Sequence, residues 1–495
     1  MAAPPDPQTV FARLLTGEST VPLFRQVYDG LRAAVLAGQL PAGSRLPATR
    51  VLAADLGVSR ATVLAAFEQL MAEGYLTGRH GSGTYVAAAV PDHAFRPRRP
   101  RTTTPARRPA RGLSQRGEVL TSRPTLPRRS SAPTPFRPGT PALDAFPWEE
   151  WEQLARRRWR TRDRALLAYG DPAGYGPLRE AVAAHIGVSR GVRCSADQVL
   201  IVSGLPQALG LVVQVLLDPG DAAWVEDPGY PNARAALLAA GAVPHAVQVD
   251  GDGLNVAVGA ATCPAARLCY VTPSHQYPTG VTLTLARRLA LLDWARTADA
   301  WVVEDDYDSE FRYEGRPLAA LAGLDPDGRV IYLGTFSKSL FPALRLGYLV
   351  VPPDLARPFA RARDSLDQYA SAYFQAVTSD FLAGGHFARH LRRMRTLYAD
   401  RQATLVRAVR REFGDSLEVT PAPAGLHLLG RFANGEDDRA IADRAAAAGL
   451  DVPPLSAYRT SSTGRGGLLL GFASFSPREI REGVRRLATA WRDGR

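Results

Sequence analysis

One residue in this chain stands apart by type. The sequence carries 60 Lys+Arg, of which 59 are arginine and one is Lys338, in "GTFSKSLFPALRLGY", residues 334–348. A general bias towards arginine accounts for the 59, because solubility needs only positive charge. It does not account for the exception. Arginine stays protonated and cannot serve as a neutral amine nucleophile, whereas a lysine amine can lose its proton and condense with an aldehyde.

Other residues supply what an aldehyde cofactor such as pyridoxal 5'-phosphate needs besides an amine: a carboxylate for its ring nitrogen, a hydroxyl for its ring oxygen, a stacking surface and a phosphate cup. Asp305, in "VVEDDYDSEF", ends a β-branched run and can keep a pyridine nitrogen protonated. Tyr307 can hydrogen-bond the ring oxygen, and Tyr230, in "EDPGYPN", can stack on the ring. Ser203 and Gly204 open a helical stretch whose N-terminus suits a phosphate, with Ser337 and Arg345 completing the cup. Each residue alone has an ordinary reading: a Ser-Lys pair is common, and acidic strand ends are mostly solvated turns. Their conjunction in this order carries the argument. No metal site is expected, because the three cysteines form no CxxC pair.

These residues need a scaffold, and the rear of the chain provides one. From about residue 135 to 495, strand-like apolar runs alternate with helical stretches, as in "DQVLIVSG" followed by "LPQALGLVVQVLLD". That alternation predicts an α/β fold with a mostly parallel sheet, plus a smaller terminal subdomain. Residues 199–217 are uncharged and long enough to raise a membrane span, but their central Ser, Gly and Pro predict a strand, turn and helix instead. Sparse cysteine and the lack of a legible secretory leader make the cytoplasm the expected location.

Residues 16–87 read differently. "VPLFRQVYDGLRAAVLA" sets Leu23, Val27, Leu31 and Val35 at helical spacing, with Phe24 and Tyr28 widening the stripe. A short helix over about 48–56, a Gly57 turn, Ser59 as N-cap and a longer helix ending near Glu73 predict a helix-turn-helix. "YLTGRHGSGTYVA" adds a wing. In such a unit the second helix enters the major groove of double-stranded DNA. Its first residues here are Ser59, Arg60, Ala61 and Thr62; Arg60 can pair with guanine, and Thr62 can reach a base or phosphate. Arg45 and Arg50 suit phosphates, and Arg79 and His80 sit on the wing.

Between these parts, residues 88–134 read as a Pro/Arg-rich flexible linker. Residues 91–140 hold 12 Arg against two acids, a net of +10, which is nearly all of the chain's formal +12. Ten prolines and no hydrophobic periodicity leave this stretch nothing with which to build a core. Clustered arginine beside a DNA-binding unit adds sequence-independent phosphate attraction.

The front segment, through "PLFRQVYDGLRAAVLAGQLPAGSRLPATRVLAADLGVSRATV" and "GRHGSGTYV", resembles the winged-helix heads of the GntR regulators. The rear resembles fold-type I aminotransferases over nearly its full length. The combination, with "TPSHQYPTG", "EDDYDSEFRYEGRP" and "GTFSKSL", is similar to the MocR family, which includes the GabR type. The resemblance implies a multidomain regulator: a winged helix binding operator DNA, and a pyridoxal-phosphate-binding, aminotransferase-like body that senses an amine, an amino acid or the cofactor itself. It further implies a head-to-tail homodimer, with Lys338 forming the imine to the cofactor and Arg50, Arg60 and Thr62 at DNA-contacting positions.

The chain also departs from that pattern. Many fold-type I enzymes place an asparagine before "PTG" to touch the ring oxygen, where this sequence has Tyr277, leaving His275 or Gln276 to compensate. Pro206 removes one N–H from the phosphate-cup helix. The strand expected to carry a carboxylate-binding arginine reads "GGLLLGFASF", and Ala457 stands near the GabR-type effector arginine, with Arg459 and Arg465 as neighbours. These changes weigh against transamination, leaving a working aminotransferase with a DNA-binding head, or a dimerisation scaffold without ligand, as the rival readings.

Overall fold

The structure, a computed structural model, describes residues 11, 14, 21–79, 82–88, 112–121, 134–315, 318–461 and 464–493. The chain divides into two compact units, Met1–Arg111 and Gly112–Arg495. Within the stretch read as linker, residues 89–111 and 122–133 lie outside the described residues, as does His80 on the wing.

The described residues of the first unit include the helices Leu23–Leu36, Thr49–Leu56 and Arg60–Ala72 and a hairpin of β1 (Leu76–Arg79) with β2 (Gly83–Val86). Val27, Leu31 and Val35 are buried as their spacing predicts, whereas Leu23 and Phe24, in the helix's first turn, are exposed. The turn between the second and third helices depends on Gly57, whose φ of +65° is a left-handed conformation that costs other residues more. Ser59 caps the third helix, its hydroxyl accepting from the Thr62 amide at 3.1 Å. Phe67 and Leu70 carry that helix into a core shared with Leu52, Leu76 and Val86.

The second unit is built on an eight-stranded sheet. Its strands are β3 (Val199–Val202), β4 (Ala222–Asp227), β5 (Val243–Asp250), β6 (Gly253–Leu254), β7 (Leu268–Val271), β8 (Trp301–Asp306), β9 (Val330–Thr335) and β10 (Gly347–Val350), in the order 3-10-9-8-7-4-5-6. Strands β9, β8, β7, β4 and β5 run parallel, and β10 is antiparallel to both its neighbours. Helices cover both faces, which is why β3, β7 and β10 are buried at every position. The two-residue period of a strand is visible in β3, where Val199 and Ile201 join one apolar core and Leu200 and Val202 join another.

A three-stranded antiparallel sheet, β11 (Leu417–Val419), β12 (His427–Phe432) and β13 (Leu468–Gly471), forms a smaller layer with the long helices His386–Phe413 and Pro477–Arg492. Residues 199–217 are strand β3 and the helix Leu205–Leu216, and no helix among the described residues is long and apolar enough to cross a membrane. Within residues 88–134, Gln115–Thr121 is helical and packs against the helix Pro231–Ala240. Ser114 opens it by accepting from the Gly117 amide at 3.0 Å, a local cap that composition alone did not reveal.

Candidate functional site

In an open α/β sheet, side chains that bind small molecules gather beyond the carboxyl ends of the parallel strands. Here β4 leads into Tyr230, β7 into residues 272–277, β8 ends at Asp305 and Asp306, and β9 leads directly into the short helix Phe336–Ser339 that carries Lys338.

Lys338 donates from Nζ to the carbonyl oxygen of Gly139 at 2.6 Å. Burial lowers its pKa, partly offset by the nearby negative charges of Asp308 and Asp305, so the amine is easier to deprotonate than a surface lysine. Gly139 has φ +76°, and a Cβ there would lie 2.7 Å from Nζ. The left-handed backbone favours glycine here, and any side chain would push the amine from its present position.

Asp305 is buried, and loss of hydration pushes its pKa up to about 7 despite a hydrogen bond from Tyr270 and the positive field of Lys338. Tyr270 donates to one carboxylate oxygen, and none of the described residues donates to the other. A cationic N–H presented there would find an acceptor already aimed and would return the carboxyl to its ionised form.

Tyr307, two residues on, lies 3.0 Å from His275 Nδ1 through its hydroxyl. The same Nδ1 lies 2.9 Å from Asp308 Oδ2, with both partners buried. Tyr277, at the position where the resemblance implies asparagine, meets Tyr230, Tyr307, His427 and Tyr458 edge-on at centroid distances of 5.4–5.9 Å. Its hydroxyl donates to that of Tyr458 at 3.1 Å. Gln276 does not replace the missing asparagine. Its amide nitrogen is spent on the carbonyls of Pro228 (2.9 Å) and Tyr277 (2.7 Å), and its oxygen on Thr279. His275 is the residue that reaches Tyr307.

At the phosphate-cup candidates, Gly204 caps the helix Leu205–Leu216 with φ +108°, and a Cβ there would lie 3.3 Å from the Arg345 guanidinium. Arg345 itself holds a left-handed backbone, φ +52°, an uncommon conformation for a residue with a side chain and one that gathers at functional positions. The Ser203 amide is occupied by the side chain of Gln207, and the Ser337 amide by Thr335 Oγ1 at 3.1 Å. The Ser203 and Ser337 amides are thus held internally, while their hydroxyls make no hydrogen bond to the described residues.

The leucines that replace the expected arginine are structural. Leu468, Leu469 and Leu470 are fully buried, and Leu469 packs with Leu455 and Tyr458 in a small apolar cluster that Tyr277 joins. Arg459 turns to the Arg465 carbonyl at 2.7 Å. Three further groups escaped the sequence reading: Tyr270, Asp308 and His427. Tyr270 sits on β7 beside β8, and only strand register reveals that it faces Asp305. His427 on β12 is held neutral, its pKa pushed down to about 3 chiefly by burial.

In the first unit, Arg45, Arg50, Ser59 and Arg60 are exposed and Thr62 is half-buried. Arg45 bridges to Tyr85, and its guanidinium lies about Gly83 on the wing. Ser59 Oγ and Thr62 Oγ1 are 2.8 Å apart, so the two hydroxyls at the start of the third helix form one polar unit. Arg60 projects from that same first helical turn.

Residues 140–487 match the aminotransferase class I and II family, and residues 23–86 match the gntR family of bacterial regulatory proteins. The chain is 43% identical to the probable rhizopine catabolism regulatory protein MocR of Rhizobium meliloti, over 97% of this chain and 95% of that protein. It is 32% identical to the pyridoxine biosynthesis transcriptional regulator PdxR of Corynebacterium glutamicum, over 92% and 93% of the two chains. Among solved structures, kynurenine aminotransferase of Pyrococcus horikoshii, in complex with PMP, superposes with a TM-score of 0.68 and 29% identity, over 74% of this chain and 92% of that one.

Proposed function

The chain belongs to the MocR-type family, a GntR winged helix joined to an aminotransferase-like body, and on that premise we propose that it is a transcriptional regulator that binds double-stranded operator DNA through the head and holds pyridoxal 5'-phosphate at Lys338. The observation that carries the cofactor reading is the pairing of two buried groups. The chain's sole lysine and the half-satisfied Asp305 stand within one another's electrostatic field at the carboxyl ends of adjacent strands.

The residues present fit this group. Lys338 offers an amine of lowered pKa, Asp305 an acceptor for the ring nitrogen, Tyr307 a hydroxyl for the ring oxygen and Tyr230 an aromatic face. Ser203, Gly204, Ser337 and Arg345 would hold the phosphate, with the helix N-terminus adding its partial positive charge. When bound, pyridoxal phosphate supplies an aldehyde for amines and a cationic ring that draws electron density. Asp305 would fix the ring's charge, and Tyr277 packs edge-on against Tyr230 and Tyr307, the two tyrosines assigned to the ring.

Regulation follows if the body has two conformations that bind its effector unequally, because a ligand shifts an equilibrium only by its differential affinity. The effector class is an amine, an amino acid or the cofactor, and the working assembly is a head-to-tail homodimer, as the resemblance implies. The test is DNA binding by full-length protein to fragments of its own upstream region, with and without pyridoxal phosphate and a panel of amines. One fragment bound well above competitor DNA, with an affinity that one amine or the cofactor changes, supports the reading. Equal binding to all fragments under every condition contradicts it.

A second reading is kept by the likeness to an aminotransferase and by the complete set of Lys338, Asp305 and Tyr307: a body that still turns over. Sustained keto-acid formation from an amino donor would favour it.

A further inference from the structure

The imidazole of His275 is held from several sides. Its Nδ1 lies 2.9 Å from Asp308 Oδ2 and 3.0 Å from the Tyr307 hydroxyl, while its Nε2 is buried with no hydrogen-bond partner. Two glycines wall the ring. A Cβ at Gly425 would lie 2.1 Å from Cε1, and one at Gly280 would lie 3.2 Å from Nε2, so glycine at both positions is what makes room for the ring.

The protons can be placed from these contacts. A carboxylate 2.9 Å from a ring nitrogen needs a proton between them, so Nδ1 carries it. An N–H cannot also accept from a phenol, and Tyr307 is therefore the acceptor at its 3.0 Å contact. A proton on Nε2 would be a buried donor without an acceptor, which is costly, whereas a bare lone pair there is cheaper. The neighbouring charged or titratable groups are Lys338, Asp305, Glu226, Tyr277 and His427, and His427 itself is neutral, with Nε2 donating to the Pro278 carbonyl at 3.2 Å.

We propose that Asp308 fixes His275 as its neutral Nδ1–H tautomer, whose one proton is shared between Asp308 Oδ2 and the Tyr307 oxygen, leaving the Tyr307 proton free for an acceptor oxygen of the molecule held at Lys338. His275 and Asp308 are positioning residues in this arrangement, and Tyr307 is the group that touches the ligand. The tautomer stands on this chain's own geometry, while the use of the Tyr307 proton rests on the cofactor reading given above.

The test separates the two. Long-range proton–nitrogen NMR on cofactor-free, full-length protein labelled with nitrogen-15 at its eight histidines, with His275 assigned by His275→Asn, reads the tautomer directly. The expected result is a protonated Nδ1 and an unprotonated Nε2, with Asp308→Asn moving the proton to Nε2 or making the two forms comparable. An Nε2–H or doubly protonated ring in the wild type overturns the proposal.

For the second half, Tyr307→Phe and Asp308→Asn should each weaken binding of pyridoxal phosphate about tenfold, and the double variant should lose little more. Fully additive losses overturn the coupling. If the tautomer is as expected but pyridoxal phosphate binds with no dependence on Lys338, the cofactor reading fails while the tautomer assignment stands. An unchanged melting temperature and amide spectrum in each variant exclude misfolding as the cause.

Discussion

Lys338 Nζ and the carbonyl oxygen of Gly139 are 2.6 Å apart, across 199 residues of sequence. A segment that precedes every strand of the main sheet in sequence thus touches the one lysine of the chain. Gly139→Ala places a methyl 2.7 Å from Nζ on a left-handed backbone, which strains the turn and displaces the amine. We expect a loss of pyridoxal phosphate affinity of more than about tenfold with a destabilisation of ~1–2 kcal/mol, read by absorption titration and urea unfolding.

The buried carboxyls give the cofactor-free body a pH dependence of definite sign. Asp305 is pushed up to about 7, chiefly by burial. A carboxyl that binds its proton more tightly folded than unfolded stabilises the native state most at low pH. That contribution fades as pH rises through the interval between its unfolded and folded values, and it is level above the folded value. Between about pH 5 and pH 7 the wild type should therefore lose ~2 kcal/mol that Asp305→Asn does not lose. Parallel pH–stability curves for the two proteins would show that the carboxyl is ionised throughout.

Arg190 and Asp306 form a buried pair at 2.7 Å, and Arg190 also donates to the Leu318 carbonyl and, at 2.6 Å, to Ser274 Oγ. Asp306 accepts in addition from Tyr332 at 2.6 Å. Truncating Arg190 to Met leaves that carboxylate without its counter-charge, and a loss of ~3–5 kcal/mol is expected from urea unfolding. Because Ser274 precedes His275, cofactor affinity should fall as well. Arg190→Met combined with Asp306→Leu should recover part of the stability, since it removes both charges.

In the head, the two classes of arginine should separate by salt and sequence dependence. Arg60→Ala removes a base-reading candidate, with an expected cost of ~1–3 kcal/mol on the preferred DNA fragment and reduced discrimination. Arg45→Ala, beside the wing, should weaken binding to all fragments alike and lower the salt slope by about one. Fluorescence anisotropy at several salt concentrations, on specific and scrambled duplexes, distinguishes them.

Much of this was legible from residue types, and the reasons differ by region. The helix-turn-helix was readable because Gly57 and Ser59 are local signals whose physics involves only their near neighbours. Lys338, Asp305 and Tyr307 stood out because aldehyde chemistry demands particular functional groups. Tyr270, Asp308, His427 and Gly139 were not readable. Their roles arise from strand register and from contacts between distant segments, which leave no spacing pattern in the sequence. Gln276 and His275 were equal candidates on paper; the polypeptide's path after β7 turned one amide onto backbone carbonyls and the other side chain towards Tyr307. The helix at 115–121 escaped because Pro/Arg composition dominates the stretch around it.

The central claim is that Lys338 is the residue that takes up pyridoxal phosphate. The most direct measurement is a visible absorption titration of full-length protein with pyridoxal phosphate, run alongside Lys338→Ala and Lys338→Arg. We expect a saturable band in the wild type, distinct from the spectrum of the unbound cofactor, that neither variant produces. A wild type without such a band, or a Lys338→Ala protein that gives the same band, would contradict the account.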